Sequence, residues 1–221
     1  MPPQLPVVRP HVTINAAMSA DGKIATVVRR QTKLSGEEDT VRLHRLRAAH
    51  DAILVGIGTI LADDPKLTVK WDVAAIPPGS QPLRVILDTR GRTPETAACL
   101  SQDGHTLIAT GEDCARTWKS AERFASGRDR VDLPAVLSEL SRRGVRNLLV
   151  EGGSEVIWSF LHGGLADELK VFVGSVVLGG SGAPTLAGGE GFPALDQAVR
   201  LRLEGLSTVD GGVLLEYQVV R

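Results

Sequence analysis

The chain has 221 residues, 43% of them apolar, and a formal net charge of −1. That length fits one large α/β domain or two small ones, with core enough to need no disulfide or metal staple. The near-neutral charge argues against non-specific nucleic-acid binding, which draws on excess Lys and Arg, and the apolar runs are too short to span a bilayer.

The first nine residues hold three prolines and no hydrophobic signal region. They are expected to form a tail, with one domain over 10–221 and a cytoplasmic location. Val12–Ala17 reads as a strand ended by the polar turn Ser19–Gly22. Ser35-Gly36-Glu37-Glu38 has the form of a capping box, opening a helix to about Ala49 with Val41, Leu43 and Leu46 toward its apolar side. Ala52–Val55 is a continuous apolar run, the pattern of a strand buried on both faces. A brief helix over Gly56–Leu61 should stop before Asp64-Pro65, and Val69–Pro82 reads as an exposed loop.

Arg84–Leu87 and Thr106–Thr110 read as strands, and Leu133–Arg143 as a helix with Leu133, Val136, Leu137 and Leu140 at helical spacing. Asn147–Val150 is a strand, and Ser154–Leu161 a helix opened by Gly152-Gly153. Glu168–Val173, Leu201–Ser207 and Val213–Val219 complete the strands, the last two joined by a Val209-Asp210-Gly211-Gly212 turn. The expected fold is a single α/β domain: a mainly parallel central sheet, helices on both faces, and a C-terminal antiparallel hairpin.

Four features could carry chemistry. Gly152-Gly153-Ser154 lies between strand and helix, where bare backbone and free N–H groups suit a phosphate, or simply make a tight turn. Gly56-Ile57-Gly58-Thr59 with Asp63 puts a hydroxyl and a carboxylate four residues apart, on one helical face. Six basic residues between Arg29 and Arg47 could receive a phosphate monoester or form a solvated face, with Arg47 set nearest a buried strand. Glu151 could accept from the amino groups of a heterocycle or bond a neighbouring loop. The histidines show no metal-ligand spacing and read mostly as surface groups, and Trp71, Trp118 and Trp158 read as packing residues. No metal is expected.

Several segments taken in order resemble the riboflavin-biosynthesis reductase family in its stand-alone archaeal form. They are Ala17–Ala25, Ser35–Asp39, His44-Arg45-Leu46-Arg47, Val55–Thr59 through Asp63–Thr68, Val150–Gly153, Ala183–Thr185 and Gly189–Phe192. The resemblance implies a dihydrofolate-reductase-like fold, a homodimer and NADPH, with NADH left open. It implies reduction of the ribosyl group of 2,5-diamino-6-(ribosylamino)-4(3H)-pyrimidinone 5′-phosphate to a ribityl chain by hydride transfer to C1′. The alternatives are the deaminated pyrimidine, a pterin or dihydrofolate as substrate, or a non-catalytic NADPH-binding module. Carried over by position, Ala17, Lys33, Thr59, Asp63, Thr89, Gly152, Gly153, Ser154 and Glu155 fall on the cofactor side. Asn15, Gln31, Arg47, Leu67, Lys70 and Glu151 fall on the substrate side. Asp63 and Glu151 are the candidate proton-transfer carboxylates, with Arg47 and Lys70 suited to the phosphate and Glu151 to pyrimidine amino groups. Arg90 and Arg92, just beyond Thr89, are the candidate partners of a cofactor 2′-phosphate. The bifunctional relatives add a zinc deaminase, whose His-x-Glu and Pro-Cys-x-x-Cys are both missing from this sequence.

Overall fold

The computed structural model describes residues 9–29, 33–101 and 103–220. Among these, nine strands form one sheet. They are β1 (His11–Ser19), β2 (Ala52–Gly56), β3 (Leu83–Leu87), β4 (Thr106–Thr110), β5 (Glu122–Ala125), β6 (Asn147–Val150), β7 (Glu168–Gly174), β8 (Arg200–Val209) and β9 (Gly212–Val220). Their order is β5-β4-β3-β2-β6-β1-β7-β9-β8. Pairing is parallel from β5 to β7, and β9 then pairs antiparallel with both β7 and β8. The helices are α1 (Glu37–Ala48), α2 (Ile57–Asp63), α3 (Trp71–Ala74), α4 (Leu133–Arg142) and α5 (Ser154–His162). This is the expected α/β architecture.

The apolar runs of the central strands are continuous because both faces are covered. Ala52 and Leu54 of β2 join a core with Val136, Leu137 and Leu140 of α4 and Ile157 and Phe160 of α5. Ile53 and Val55 face the other way, against Ile57 and Ile60 of α2, Leu67 and Trp118. Strand alternation therefore feeds two cores from one sequence run.

Three expectations are corrected. Ser35 does not cap α1: the N-cap is Gly36, with no side-chain cap bond of its own. The cap comes from Asp210 in the β8–β9 turn, whose carboxylate accepts from the N–H groups of Glu38 (3.2 Å) and Asp39 (2.8 Å). A Cβ on Gly36 would stand 2.5 Å from that carboxylate, so glycine makes the approach possible. Second, the buried residues of α1 are polar, Asp39 and His44, while Val41, Leu43 and Leu46 are half-buried. Third, the segment 69–82 is no exposed loop: it contains α3 and buries Val69 and Ala74. Arg9, expected in the tail, makes a two-pronged pair with Asp167 at 2.8 Å.

Candidate active site

Parallel strands all deliver their C-terminal ends to one side of the sheet, and the central strands β2, β6 and β1 bring most of the candidates there. β6 runs directly into Glu151, Gly152 and Gly153 before α5 begins. Gly152 has φ +107°, a conformation that favours glycine, and its carbonyl accepts from Gly56 N–H at 2.9 Å. A Cβ built on Gly153 would lie 3.6 Å from Thr59 Oγ1, and one on Gly56 would meet Val156 at 2.7 Å. The two glycine turns thus bring Thr59 of α2 against the Gly152–Gly153 cradle. Asp63, half-buried, closes the same short helix. The bare backbone and the uncapped start of α5 fit a dinucleotide, since glycine permits close approach and helix N–H groups attract phosphate.

Glu151 is held by a partner the sequence keeps 104 residues away. Arg47 Nε donates to Glu151 Oε1 and Nη2 to Oε2, both at 2.7 Å. Arg47 Nη1 donates to the Thr68 carbonyl at 2.9 Å. The side chains are only 13% and 10% exposed. Burial alone would lower the arginine pKa, but the adjoining carboxylate outweighs it and the net direction is upward. Arg47, expected at the phosphate, is therefore occupied in orienting Glu151 and in fixing the backbone of the 67–70 segment.

That segment carries Leu67, buried and with φ +54°, and Lys70, whose side chain is exposed. It is held a second time by His44, one turn before Arg47 on α1. His44 Nδ1 accepts from the Lys70 backbone N–H at 3.2 Å, which puts the imidazole proton on Nε2. His44 is 5% exposed, against the expectation of a surface group. Burial, followed by the charges of Arg47 and Lys70, pushes its pKa below the ordinary 6.5, against smaller opposing effects of Glu151 and Asp72. The sequence signal for this role was its i, i+3 spacing from Arg47.

Asn15 lies on β1 beside this group, one residue beyond the paired Ile14 and Val150, so it stands level with Glu151 on the adjacent strand. Its Oδ1 accepts from Arg42 Nη2 at 2.9 Å, and Arg42 Nε donates to Asp39 at 2.7 Å. Ala17 continues the same strand face. Ser154 and Glu155 open α5, and the 175–199 connection crosses them. Ser154 Oγ donates to the Thr185 carbonyl at 2.6 Å, and Glu155 Oε1 accepts from Gly189 N–H at 3.1 Å. Trp158, His162 and Phe192 form one cluster, with the Trp158 ring centre 5.0 and 4.9 Å from the other two and those 5.6 Å apart.

The remaining candidates lie apart or outside. Thr89, at the end of β3, lines a cavity of about 360 Å³ with Arg90 and Arg128. Arg92 turns instead toward buried Asp88, at 3.7 Å. Lys33 is exposed near the hairpin turn: the Asp210 carboxyl is held below its ordinary value first by the Asp39 N–H bond and in smaller part by Lys33. Gln31 lies outside the described residues. A larger cavity of about 440 Å³, between Asp51, His105 and Arg143, opens at the opposite end of the strands and away from this chemistry.

The model of the RibD C-terminal domain matches residues 10–215. The chain is 43% identical over 216 residues to the 2,5-diamino-6-ribosylamino-4(3H)-pyrimidinone 5′-phosphate reductase of Methanothermobacter thermautotrophicus, covering 96% of this chain and 99% of that one. Among solved structures it resembles a deaminase/5-amino-6-(5-phosphoribosylamino)uracil reductase of Thermotoga maritima, with TM-score 0.83 and 26% identity. The match covers 96% of this chain but only 57% of the Thermotoga protein. Dihydrofolate reductase of Enterococcus faecalis shares the fold, with TM-score 0.50 at 10% identity over 96% of this chain and 97% of that one.

Proposed function

The chain belongs to the RibD C-terminal domain family, and from that premise we propose that it reduces 2,5-diamino-6-ribosylamino-4(3H)-pyrimidinone 5′-phosphate in riboflavin biosynthesis, using NADPH. The observation that carries the reading is the adjacency of Glu151 and the Gly152–Gly153 cradle. A carboxylate suited to pyrimidine amino groups directly adjoins a bare backbone suited to the cofactor. The bound nicotinamide would supply the hydride that reduces C1′.

The chain's own residues bind and orient. Thr59, Gly152, Gly153 and the first N–H groups of α5 hold the dinucleotide, with Ala17, Asp63, Ser154 and Glu155 around them; Lys33, near the hairpin turn, is assigned to the cofactor on resemblance alone. Glu151, pre-aligned by Arg47, accepts from the pyrimidine. Lys70 takes the 5′-phosphate, being an exposed cation on the segment that Arg47 and His44 fix, and Leu67 shapes the same wall. Gln31 is assigned to the substrate side on resemblance alone. Opening the ribosylamine requires proton transfer, for which Asp63 and Glu151 are the candidate groups. Arg90, beside Thr89, is the cation for a 2′-phosphate, Arg92 being turned to Asp88 and Arg128 to Glu112.

A second copy of the chain is the proposed partner. β8 is the sheet edge, and Leu201, Leu203 and Leu206 on it are 41%, 51% and 65% exposed. An apolar edge of this kind is covered in most soluble proteins.

The test is NADPH oxidation by the purified protein with the ribosylamino diaminopyrimidine phosphate, repeated with its deaminated counterpart. Turnover of the first and little of the second is expected. Absence of turnover with either nicotinamide cofactor would overturn the reading.

A further inference from the structure

We infer that Arg42 is a positioning residue that fixes Asn15 as a hydrogen-bond donor to the pyrimidine, beside the Glu151 acceptor. The inference rests on the proposed function and extends it to the pattern the ligand must present. A guanidinium has donors only, so the Asn15 atom 2.9 Å from Arg42 Nη2 is its carbonyl oxygen. The Asn15 NH2 group is then the end left to address a ligand. Arg42 cannot swing freely, because its Nε is tied to the Asp39 carboxylate at 2.7 Å, and Asp39 is 5% exposed. Asp39 is tied in turn through its backbone N–H to Asp210 of the hairpin, at 2.8 Å. The chain from hairpin turn to Asn15 is therefore continuous.

The two strand-end residues form a matched set. Ile14 and Val150 are paired across parallel strands, so Asn15 and Glu151 follow level with each other on the face covered by α1. Neighbouring strands lie about 4.8 Å apart. Each residue receives one arginine from α1: Arg42 turns Asn15 into a donor, and Arg47 keeps Glu151 an acceptor. The set recognises a heterocycle edge on which an acceptor, such as a ring carbonyl or ring nitrogen, sits next to an amino group. Asn15 is 8% exposed, enclosed but open to the site.

The test is a double-mutant cycle on Arg42→Met and Asn15→Ala, read as KM for the pyrimidine phosphate, KM for NADPH and kcat. Each single change is expected to raise the pyrimidine KM about tenfold and leave the NADPH KM unchanged, as for one lost hydrogen bond in a partly buried site. The double variant should be no worse than Asn15→Ala, because Arg42 acts only through Asn15. Asn15→Asp, which keeps the bond from Arg42 and removes the NH2 group, should be as impaired as Asn15→Ala, and Arg42→Lys should recover part of the loss. Multiplying effects in the double variant, or a fully active Asn15→Asp, would overturn the inference while leaving the reductase reading intact. A wild-type protein that turns over no pyrimidine phosphate would overturn both.

Discussion

Arg47 and Glu151 are two charges taken out of water together, and each is tolerable only because the other is there. Arg47→Met leaves a carboxylate enclosed without its cation, and the protein should lose about 3–5 kcal/mol of stability in urea unfolding. Adding Glu151→Leu removes the stranded charge and should restore most of that stability without restoring turnover. If the double variant stays as unstable as the single one, the pair is not the source of the loss. His44 acts through protonation. Its folded pKa lies below 6.5, so the fold favours the neutral ring. The stabilisation is present in full above 6.5 and is lost as the pH falls through the lower folded value. Below it the protonated Nδ1 can no longer accept from Lys70 N–H. His50, also depressed chiefly by burial, contributes with the same sign. Thermal melts from neutral to acid pH should show a fall that flattens in His44→Gln; an unchanged acid limb would rule out His44 as its source.

At the scale of elements, α1 is begun by a residue from the far end of the chain. Asp210→Ala should lower the melting temperature and speed hydrogen exchange of the Glu38 and Asp39 amides, while exchange in β2 and β6 stays slow. Protection unchanged at Glu38 and Asp39 would show that another group caps the helix. The same contact explains what was legible in the sequence. Ser35-x-x-Glu38 has the spelling of a local cap, and nothing near it reveals that Asp210 occupies the position first. The central strands were readable because burial on both faces leaves an apolar run. Glu122–Ala125 escaped because an edge strand of mixed polarity has no such run. The glycine turns were readable as strand-to-helix punctuation. The pairing of Arg47 with Glu151 was not, since only the stacking of α1 on β6 brings them together. The burial of His44 is not legible in the sequence, because a polar residue facing inward from a polar helix leaves no hydrophobic period to mark the buried side.

At the scale of the molecule, the apolar edge of β8 makes the proposed pairing with a second copy testable. Leu203→Lys with Leu206→Lys should shift sedimentation from dimer to monomer while leaving the secondary structure intact. A wild-type protein that sediments as a monomer at all accessible concentrations would remove the second copy from that edge. The sheet's two faces both carry apolar cores but differ in the helices laid on them. On one side α4 and α5 lie on a buried core rich in Leu, Val and Ile. On the other, a second apolar core over Ile53, Val55, Ile57 and Ile60 is joined by α1, whose inward residues are Asp39 and His44 and whose arginines reach Asn15 and Glu151. Urea and guanidinium both weaken apolar contact, but only the ionic one also screens a charge contact that water reaches, here that of the half-buried Arg42 with Asp39. The molecule therefore has two unequal seams. An ionic denaturant such as guanidinium chloride should part the α1 seam ahead of the rest, giving helix and sheet probes separate midpoints that draw together in urea.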